Sequence, residues 1–341
     1  MCAMKKSLAQ YIKDGGSLGS LGERPAKRPA EAAFPCDAAE VYKTQVDALA
    51  RRLKRIGVRD VTIGISGGLD SALCLLVAAG AFEALGLPKS GIHVYTMPGF
   101  GTSRRTKGNA GALCEGLGLA METIDITRTC RRHLLDIGHD GKTPDVVFEN
   151  AQARMRTLIL MDKANMTGGI VLGTGDLSEI ALGWCTYNGD HMSMFGVNSG
   201  VPKTVVRKVC AWWAERRLES APDDMAAKAI LDIVATPVSP ELVKGQVTED
   251  TIGPYELHDF FIWNFIVNGL DKAELLAAAK RFFKGSYGAE TIRKTLDTFL
   301  RRLVTQAFKR NCAPDGIRVF PFDFSHESWH IPSDMPADAL L

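Results

Sequence analysis

The sequence contains no apolar run that approaches the ~20 residues of a membrane-spanning helix. Its first residues, MCAMKKSLAQYIKDGG, lack the apolar core of a signal peptide. The net charge is only +2 over 341 residues, so the chain lacks the basic field of a nucleic-acid binder or an anionic-membrane protein. These absences predict a cytoplasmic protein that binds small molecules, with no nucleic acid and no membrane as partner.

Metal-ligand and disulfide patterns are also missing. The eight cysteines form no CxxC pair, and the seven histidines show no ligand spacing. Because several cysteines lie in apolar helical stretches, we expect reduced thiols. With 46% apolar residues the chain can bury a large core, and its length alone suggests about two domains.

The order of apolar patterns along the chain predicts the fold class. Residues 1–33 are rich in Gly, Ser, Lys, Arg and Pro and show little apolar periodicity, which predicts a flexible arm. Apolar residues recur at helical spacing from Ala38 to Ile56. Short apolar runs then predict strands at 61–65, 92–97, 121–126 and 168–174, separated by helical segments. This alternation predicts an α/β fold with a doubly wound parallel sheet, whose ligands bind beyond the carboxyl ends of the strands.

The segment GISGGLDS stands where the first predicted strand ends and an apolar helix begins. Glycines let the backbone approach an anion, and the first amides of a helix face it under a favourable dipole. The pattern SGGxDS therefore predicts a pyrophosphate-binding loop, and a plain tight turn is the alternative. The chain has no GxxxxGK[ST] lysine, so this is not the loop of enzymes that usually cut between the β and γ phosphates.

Eight residues of this loop are candidates for contact with ATP: Gly64, Ile65, Ser66, Gly67, Gly68, Leu69, Asp70 and Ser71. Asp70 is a hard carboxylate beside the expected phosphates, and we predict that it holds Mg²⁺. The loop resembles that of enzymes that cut ATP between the α and β phosphates and adenylate a carbonyl or carboxyl oxygen. Synthetases of GMP, asparagine, argininosuccinate, NAD and tRNA lysidine all remain open on the loop alone.

Three downstream segments resemble the NAD synthetase family in order and spacing: FENAQARMR (148–156), VLGTGDLSEIALGWCTYNGDHMS (171–193) and GVPKT (200–204). Residues 239–261 look like the next segment of that family, and the closing AFKRNCAPDGIRV is similar to its glutamine-dependent actinobacterial branch. The resemblance implies an adenine nucleotide alpha hydrolase-like, Rossmann-like domain over residues 34–341, with extra C-terminal helices from about residue 275. It also implies ATP-dependent conversion of deamido-NAD to NAD, with ATP as substrate and Mg²⁺ as cofactor.

Residue roles follow from the resemblance. Thr174 and Lys203 match residues that contact ATP, and Lys309 matches one that contacts the dinucleotide. Glu179 matches a residue that binds Mg²⁺ or deamido-NAD, and the sequence leaves these two roles open. Asp190 matches the ammonia-site aspartate, where a carboxylate would hold ammonium and take a proton. A capping threonine, a surface glutamate and an aspartate in a glycine turn are the structural alternatives.

Other polar and aromatic residues are candidates for the acceptor. Asn150 and Arg154 share one face of a predicted helix, and an amide with a guanidinium suits the ribose and phosphate of a dinucleotide. A solvated surface charge is the alternative for Arg154. The predicted stacking wall for the nicotinate ring consists of Trp184, Cys185, Thr186 and Tyr187, and core packing is the alternative for the tryptophan. His191 is the histidine expected nearest to the site.

The predicted reaction has two steps. The carboxylate of deamido-NAD attacks the α phosphorus and releases pyrophosphate, and ammonia then displaces AMP. Only about 33 residues precede the resemblance, too few for a nitrilase-like glutaminase domain, so we expect ammonia as the nitrogen source, with a separate glutaminase as one partner to consider. The family implies a homodimer. Another adenylating synthetase, and a nucleotide-binding regulator without catalysis, remain as alternatives.

Overall fold

The structure, a computed structural model, describes residues 27–102, 104–236, 248–325, 338, 340 and 341. Most of the predicted arm lies outside the described residues, as does the beginning of the segment 239–261. Within the described ranges, no helix combines the length and the apolar character that a membrane crossing requires.

The sheet has five parallel strands in the order β3-β2-β1-β4-β5 among the described residues. The strands are β1 Val61–Gly64, β2 Ile92–Thr96, β3 Met121–Thr123, β4 Ile170–Gly173 and β5 Phe195–Gly196. The predicted doubly wound parallel sheet is therefore confirmed, and each of the four predicted strands is present in a shorter form. The sequence analysis missed β5, because two residues are too few to show a strand periodicity.

Helices connect the strands and cover the sheet. Their bounds are α1 Ala38–Ile56, α2 Leu69–Leu85, α3 Arg104–Gly116, α4 Thr127–Asp136, α5 Val146–Thr167, α6 Leu177–Leu182, α7 Lys203–Ser220, α8 Met225–Val234, α9 Thr248–Ile252, α10 Tyr255–Ile266, α11 Lys272–Phe282, α12 Ala289–Thr305 and α13 Ala307–Arg310. Helix α1 has the predicted bounds. The Asp37 carboxylate accepts hydrogen bonds from the first amides of α1, and Gly57 ends it in the left-handed region at φ 71°.

The two faces of the sheet have separate cores. Ile92 and Val94 of β2 join the large apolar cluster that includes α2. Tyr95, the next residue, points to the other face and packs with Leu160 of α5. Helix α2 is apolar on almost every side, because the sheet and the neighbouring helices α1 and α7 enclose it. Because β1 and β4 are neighbouring parallel strands, the loops that follow them lie side by side.

The segments before α1 and after α12 pack together. Glu31 and Asn264 exchange two hydrogen bonds, of 2.9 and 2.8 Å, so Glu31, within the predicted arm, is attached to α10 although most of residues 27–33 are exposed. The Phe34 ring lies 5.0 Å from the rings of Trp263 and Phe320.

The C-terminal extension is helical only as far as Arg310 among the described residues, and residues 311–325 continue without a helix. Residues 326–337 and 339 lie outside the described residues, so the helical extension from about residue 275 to 341 stays a prediction beyond Arg310.

Candidate active site

The glycine loop follows β1 at the point where the sheet order reverses, since β1 lies between β2 and β4. Such a switch point is where open parallel sheets bind ligands. Gly67 has φ 85°, and a Cβ there would lie 2.0 Å from the Thr106 carbonyl oxygen. Only glycine therefore fits between this turn and α3. The Ser66 hydroxyl accepts a hydrogen bond from the Gly68 amide at 3.1 Å and lies 3.2 Å from the Ser71 hydroxyl.

Two residues of the predicted ATP loop belong to the core. The side chains of Ile65 and Leu69 are buried at 2% and 6% exposure, so only their backbone groups can face a ligand. The Ile65 amide is already used, because it donates to the Tyr95 carbonyl at 2.8 Å. Gly64 lies against Leu160 of α5, whose Cδ1 would be 3.0 Å from an added Cβ. These residues therefore support the loop from the side of the core.

Four charged side chains meet beside this loop, and we call them the lysine cluster: Asp70, Asp176, Glu179 and Lys203. The Lys203 Nζ lies 2.6 Å from Asp70 Oδ2, 2.8 Å from Asp176 Oδ2 and 2.9 Å from Glu179 Oε1. Lys203 is 2% exposed and Asp176 is fully buried. Asp70 comes from the first turn of α2, Lys203 begins α7, and the other two residues belong to the first turn of α6. Three separate elements therefore meet at one ammonium group.

The cluster carries two more negative than positive charges when all its groups are ionised. Burial raises the pKa of Glu179 to about 7 and that of Asp176 well above its ordinary value, although Lys203 opposes both shifts. Burial alone would lower the pKa of Lys203, but Asp176, Asp70 and Glu179 outweigh it and hold that pKa well above its ordinary value. The lysine is therefore charged, and the raised pKa values of Asp176 and Glu179 let protons neutralise part of the excess negative charge near neutral pH.

Asp176 was not predicted as a site residue. Its carboxylate accepts a hydrogen bond from the Glu179 amide at 2.8 Å, while the Glu179 side chain reaches back to the Asp176 amide, which forms a capping box. The sequence does carry the signal, since an aspartate three residues before a glutamate at a helix start is the pattern of such a box. The same carboxylate thus caps α6 and holds Lys203.

The lysine cluster has the chemistry of a magnesium site. Ligand oxygens of Asp70, Asp176 and Glu179 all lie within 4.8 Å of one another, and carboxylate oxygen is the donor that Mg²⁺ prefers. Asp70 Oδ1 is buried and accepts no hydrogen bond from any described residue, which is costly unless another group, such as a cation, satisfies it. The residues fit the ion, although Lys203 contacts the same three carboxylates.

A pocket opens next to the cluster, beyond β4 and β5. Thr174, Glu179, Cys185, Asp190 and Lys309 line it together, so the structure brings these five predicted residues to one place. Asp190 lies on the concave wall, where solvent still reaches it. Loss of part of its hydration nevertheless raises its pKa, although it accepts a 2.7 Å hydrogen bond from the Thr186 amide. Burial also raises the pKa of the Cys185 thiol to about 12, so this thiol is neutral.

Three cations hold the far end of α6, and we call them the carbonyl clamp: Arg302, Lys309 and Arg310. Lys309 Nζ donates to the carbonyls of Gly183 and Cys185 at 2.8 and 2.7 Å. The two arginines donate to the carbonyls of residues 182 and 181, each at 2.8 Å. A helix of six residues is marginal by itself, and cations at its carboxyl end stabilise it. Lys309 therefore shapes the pocket through the backbone.

The other predicted acceptor residues do not line this pocket. Trp184 is half-buried beneath the Arg302 guanidinium, 5.1 Å from the ring centroid. Tyr187 is exposed, and its carbonyl accepts a 3.2 Å hydrogen bond from Arg154. Thr186 and Asn150 contact each other, since the Thr186 hydroxyl donates a hydrogen bond to the Asn150 side chain at 2.8 Å. In this arrangement α5 supports the loop that carries Asp190.

Residues without any sequence signal complete the site. Buried Asn198 donates hydrogen bonds to the carbonyls of Asp70 and Thr174, at 2.9 and 3.0 Å. Gln45 of α1 in turn donates to the Asn198 side chain at 3.0 Å. The glycine loop and the end of β4 are thereby tied together. His191 lines the pocket as expected, and its Nε2 lies 2.7 Å from the Lys309 carbonyl.

The family model described as NAD synthase matches residues 41–286. The chain belongs to this family. It is 38% identical to the glutamine-dependent NAD(+) synthetase of Mycobacterium leprae, over 89% of the chain and 49% of that relative. It is 30% identical to the enzyme of the same description from Thermotoga maritima, over 92% of the chain and 51% of the relative. The chain thus spans about half the length of the curated relatives that it matches, which belong to a family of carbon–nitrogen ligases.

Solved structures show the same fold. A glutamine-dependent NAD(+) synthetase from Cytophaga hutchinsonii superposes with a TM-score of 0.72 at 17% identity, covering 89% of this chain and 55% of that one. An NMN synthetase from Francisella tularensis gives 0.57 at 23%, covering 76% and 97%. The enzyme from Acinetobacter baumannii in complex with ADP gives 0.51 at 24%, covering 89% and 51%. At these identities the likeness establishes the α/β fold alone.

The family match ends before the carbonyl clamp, since it stops at residue 286. Ala313 and Pro314, which also line the pocket, lie beyond it. This last wall rests on a β-bridge between Gly316 and Gly196 of β5. The NAD synthase core of the chain therefore supplies the lysine cluster, and the C-terminal segment closes the neighbouring pocket.

Proposed function

We propose that this chain catalyses the ATP-dependent amidation of deamido-NAD to NAD, with release of AMP and pyrophosphate. The observation that carries the proposal is the position of the lysine cluster beside the pocket that contains Asp190. An adenylation site needs groups that bind phosphate next to groups that bind the acceptor. Here Glu179 belongs to both, because it contacts Lys203 and also lines the pocket.

In the first step a carboxylate oxygen of deamido-NAD attacks the α phosphorus of ATP, and the bond to the pyrophosphate oxygen breaks. The nucleophile is already ionised near neutral pH, so this step needs no base. Lys203 and the amides at the start of α2 would bind the phosphates and keep the reacting atoms in line. Asp70 and Glu179 would hold Mg²⁺, which neutralises phosphate charge when bound.

In the second step ammonia attacks the acyl carbon, and the bond to the AMP oxygen breaks. Ammonia is mostly protonated near pH 7, so the nitrogen must lose a proton before it can attack. Asp190 would hold ammonium and take this proton, and its raised pKa suits a group that accepts one. The carbonyl clamp would keep the loop that carries Asp190 against the pocket.

We further propose free ammonia as the nitrogen source for this chain. The support is the open pocket around Asp190, which a small cation can enter. The relatives that it matches are named glutamine-dependent and are about twice as long, so ammonia delivered by a separate glutaminase is consistent with the same site. Homodimerisation stays a prediction, and the mass in solution would test it.

Pyrophosphate release with defined acceptors tests the reaction. We expect release with deamido-NAD and none with aspartate or a GMP precursor. Nicotinate mononucleotide is the informative competitor, since one structure with the same fold is an NMN synthetase. If the mononucleotide were used better than deamido-NAD, the dinucleotide assignment would be wrong. Ammonium chloride and glutamine are then compared, and glutamine-supported NAD formation without contaminating ammonia would contradict the nitrogen assignment.

A single substitution tests the second step separately. Asp190→Asn keeps the size of the side chain and loses the proton acceptor, so we expect an enzyme-bound acyl adenylate to accumulate in single-turnover trapping. Asp223→Asn is the matched control at a fully exposed aspartate. Equal losses in adenylation and amide formation would remove Asp190 from the ammonia role.

A further inference from the structure

Lys203 occupies the position that a metal ion bound to the same carboxylates would need. Its Nζ lies between 2.6 and 2.9 Å from one oxygen each of Asp70, Asp176 and Glu179. An ion that contacted these oxygens would lie within a few Å of the ammonium, and two cations so close in a poorly solvated site repel each other strongly. The ammonium and a divalent ion therefore compete for one place.

The carboxylates of this cluster are not equally free to change partner. Asp176 is fully buried, and one of its oxygens caps α6 through the Glu179 amide. Asp70 and Glu179 have side chains about one fifth exposed, at 20% and 21%. A phosphate or an ion that arrives from solvent therefore meets Asp70 and Glu179 first, while Asp176 keeps its place behind the lysine.

Hydrogen bonds hold the backbone at the start of α7, where Lys203 lies. The Lys203 amide donates to the Ser178 hydroxyl at 2.9 Å, and the next amide, that of Thr204, donates to Asp259 at 2.8 Å. The Nζ also lies 5.1 Å from the centre of the Tyr255 ring, whose face favours a cation. A small rotation of the side chain would turn Nζ from Asp70 and Glu179 towards a phosphate while Asp176 and Tyr255 remain near it.

We propose that Lys203 serves as the internal cation of this cluster, so that a divalent metal ion enters together with the nucleotide and not before it. Phosphates give the lysine new anionic partners, which frees oxygens of Asp70 and Glu179 for the metal. Asp176 is the positioning residue that retains the lysine during this exchange. The inference rests on the proposed function, because it takes these carboxylates as the metal ligands of an ATP-dependent synthetase.

Binding of Mn²⁺ without nucleotide, followed by the electron paramagnetic resonance of the free ion, tests the proposal. For the wild-type protein we expect no Asp70-dependent site tighter than ~1 mM, a weak affinity. Lys203→Met removes the internal cation and is expected to bind Mn²⁺ at least ~10-fold more tightly, equivalent to ~1.4 kcal/mol. Lys203→Arg is the matched control that keeps the charge and should stay weak. Adding Asp70→Asn to Lys203→Met should abolish the gain.

Either of two results overturns the proposal. One is a tight stoichiometric site in the wild-type protein that Asp70→Asn removes, and the other is a folded Lys203→Met protein without any gain. Because Lys203→Met leaves three carboxylates without a counter-charge, it can fail to fold, and the wild-type titration then decides alone. Inactivity towards deamido-NAD with the expected Mn²⁺ pattern would refute the proposed substrate only. NAD formation with tight wild-type Mn²⁺ binding would refute only the role of Lys203.

Discussion

The two ends of the candidate site hold their cations in opposite ways. In the lysine cluster the ammonium of Lys203 meets carboxylates, which hold its pKa well above its ordinary value. In the carbonyl clamp Lys309 and Arg310 meet uncharged carbonyls, and burial lowers both of their pKa values, that of Arg310 to about 9. A ligand that binds at the lysine cluster can change which carboxylates Lys203 contacts. Cations on carbonyls instead fix the backbone and keep a positive field, which would attract the anionic dinucleotide of the proposed reaction.

This contrast predicts the largest loss at the cluster. Asp70→Asn fills the same space but binds Mg²⁺ poorly, so we expect adenylation to fall about 1000-fold, ~4 kcal/mol in the barrier. The fold should survive, because the change reduces the excess negative charge of the cluster. Pyrophosphate release with ATP and deamido-NAD measures the effect, with circular dichroism for the fold.

Asp47→Asn is the control for that measurement, since Asp47 lies on the surface of α1 in an exposed pair with Lys43. Its activity should stay within about twofold of wild type, as exposed pairs contribute little. Asp70→Asn activity within about threefold of wild type, well under 1 kcal/mol, would show that Asp70 does not hold the metal.

The support beneath the cluster should make stability depend on pH. Buried Asp259 accepts hydrogen bonds from the Ser178 hydroxyl and the Thr204 amide, yet burial raises its pKa to about 6. The folded protein therefore binds more protons than the unfolded chain between about pH 4 and that value. This contribution, at most about 3 kcal/mol, is complete below about pH 4 and is lost as the pH rises through 6.

Asp259→Asn should remove that loss, which urea unfolding between pH 4 and 7 would measure. The neighbouring His258 has its pKa lowered to about 4 by burial, so its own contribution grows with pH in the same range. It is present in both proteins and cancels in the difference between them. An unchanged pH dependence in the variant would show that Asp259 does not titrate in this range.

At the clamp we expect a smaller and more selective effect. Lys309→Met removes the charged donor of the Cys185 carbonyl and leaves the Gly183 carbonyl with the longer bond from Arg302, of 3.3 Å, a change of ~1.5–2 kcal/mol. The KM for deamido-NAD should rise ~10-fold or more, while the KM for ATP changes less than ~3-fold. Lys280→Met, at an exposed lysine of α11, is the control. Equal changes in both KM values would mean that the clamp supports the whole site and not the acceptor end.

The sequence predicts much of the lysine cluster but little of the carbonyl clamp. The loop around Asp70 is read from consecutive residues, because a glycine turn between a strand and a helix is a local signal. Glu179 and Lys203 were found through resemblance to a family. The roles of Arg302 and Asn198 depend on contacts with residues 120 and 128 positions away, and no periodicity reports such contacts. The contact of Trp184 with Arg302 of α12 was missed for the same reason, and the role of Trp184 in the stacking wall stays a prediction.

The smallest predicted effect concerns the wall beyond the clamp. The Ile317 amide donates to the Gly196 carbonyl at 3.0 Å, which docks this segment on β5. A Cβ on Gly316 would lie 1.9 Å from Ser199 Oγ and 2.8 Å from the Gly196 carbonyl oxygen. Gly316→Ala therefore forces a shift between this segment and β5, and we expect residues 313 and 314 to move outward with it. We expect the KM for deamido-NAD to rise ~3–5-fold, about 1 kcal/mol, with the KM for ATP unchanged.

Two further variants decide whether that effect comes from the docking of the wall. Gly288→Ala is the matched control, because the nearest atom to its Cβ would be 4.0 Å away at Thr291, and it should leave both KM values unchanged. Ser199→Gly combined with Gly316→Ala removes the closer of the two clashes and should restore part of the affinity. If Gly316→Ala instead raised both KM values equally, the wall would serve the whole sheet edge. The acceptor end and the nucleotide end of the site would then depend on the same contacts with β5, and variants at this wall would not separate them.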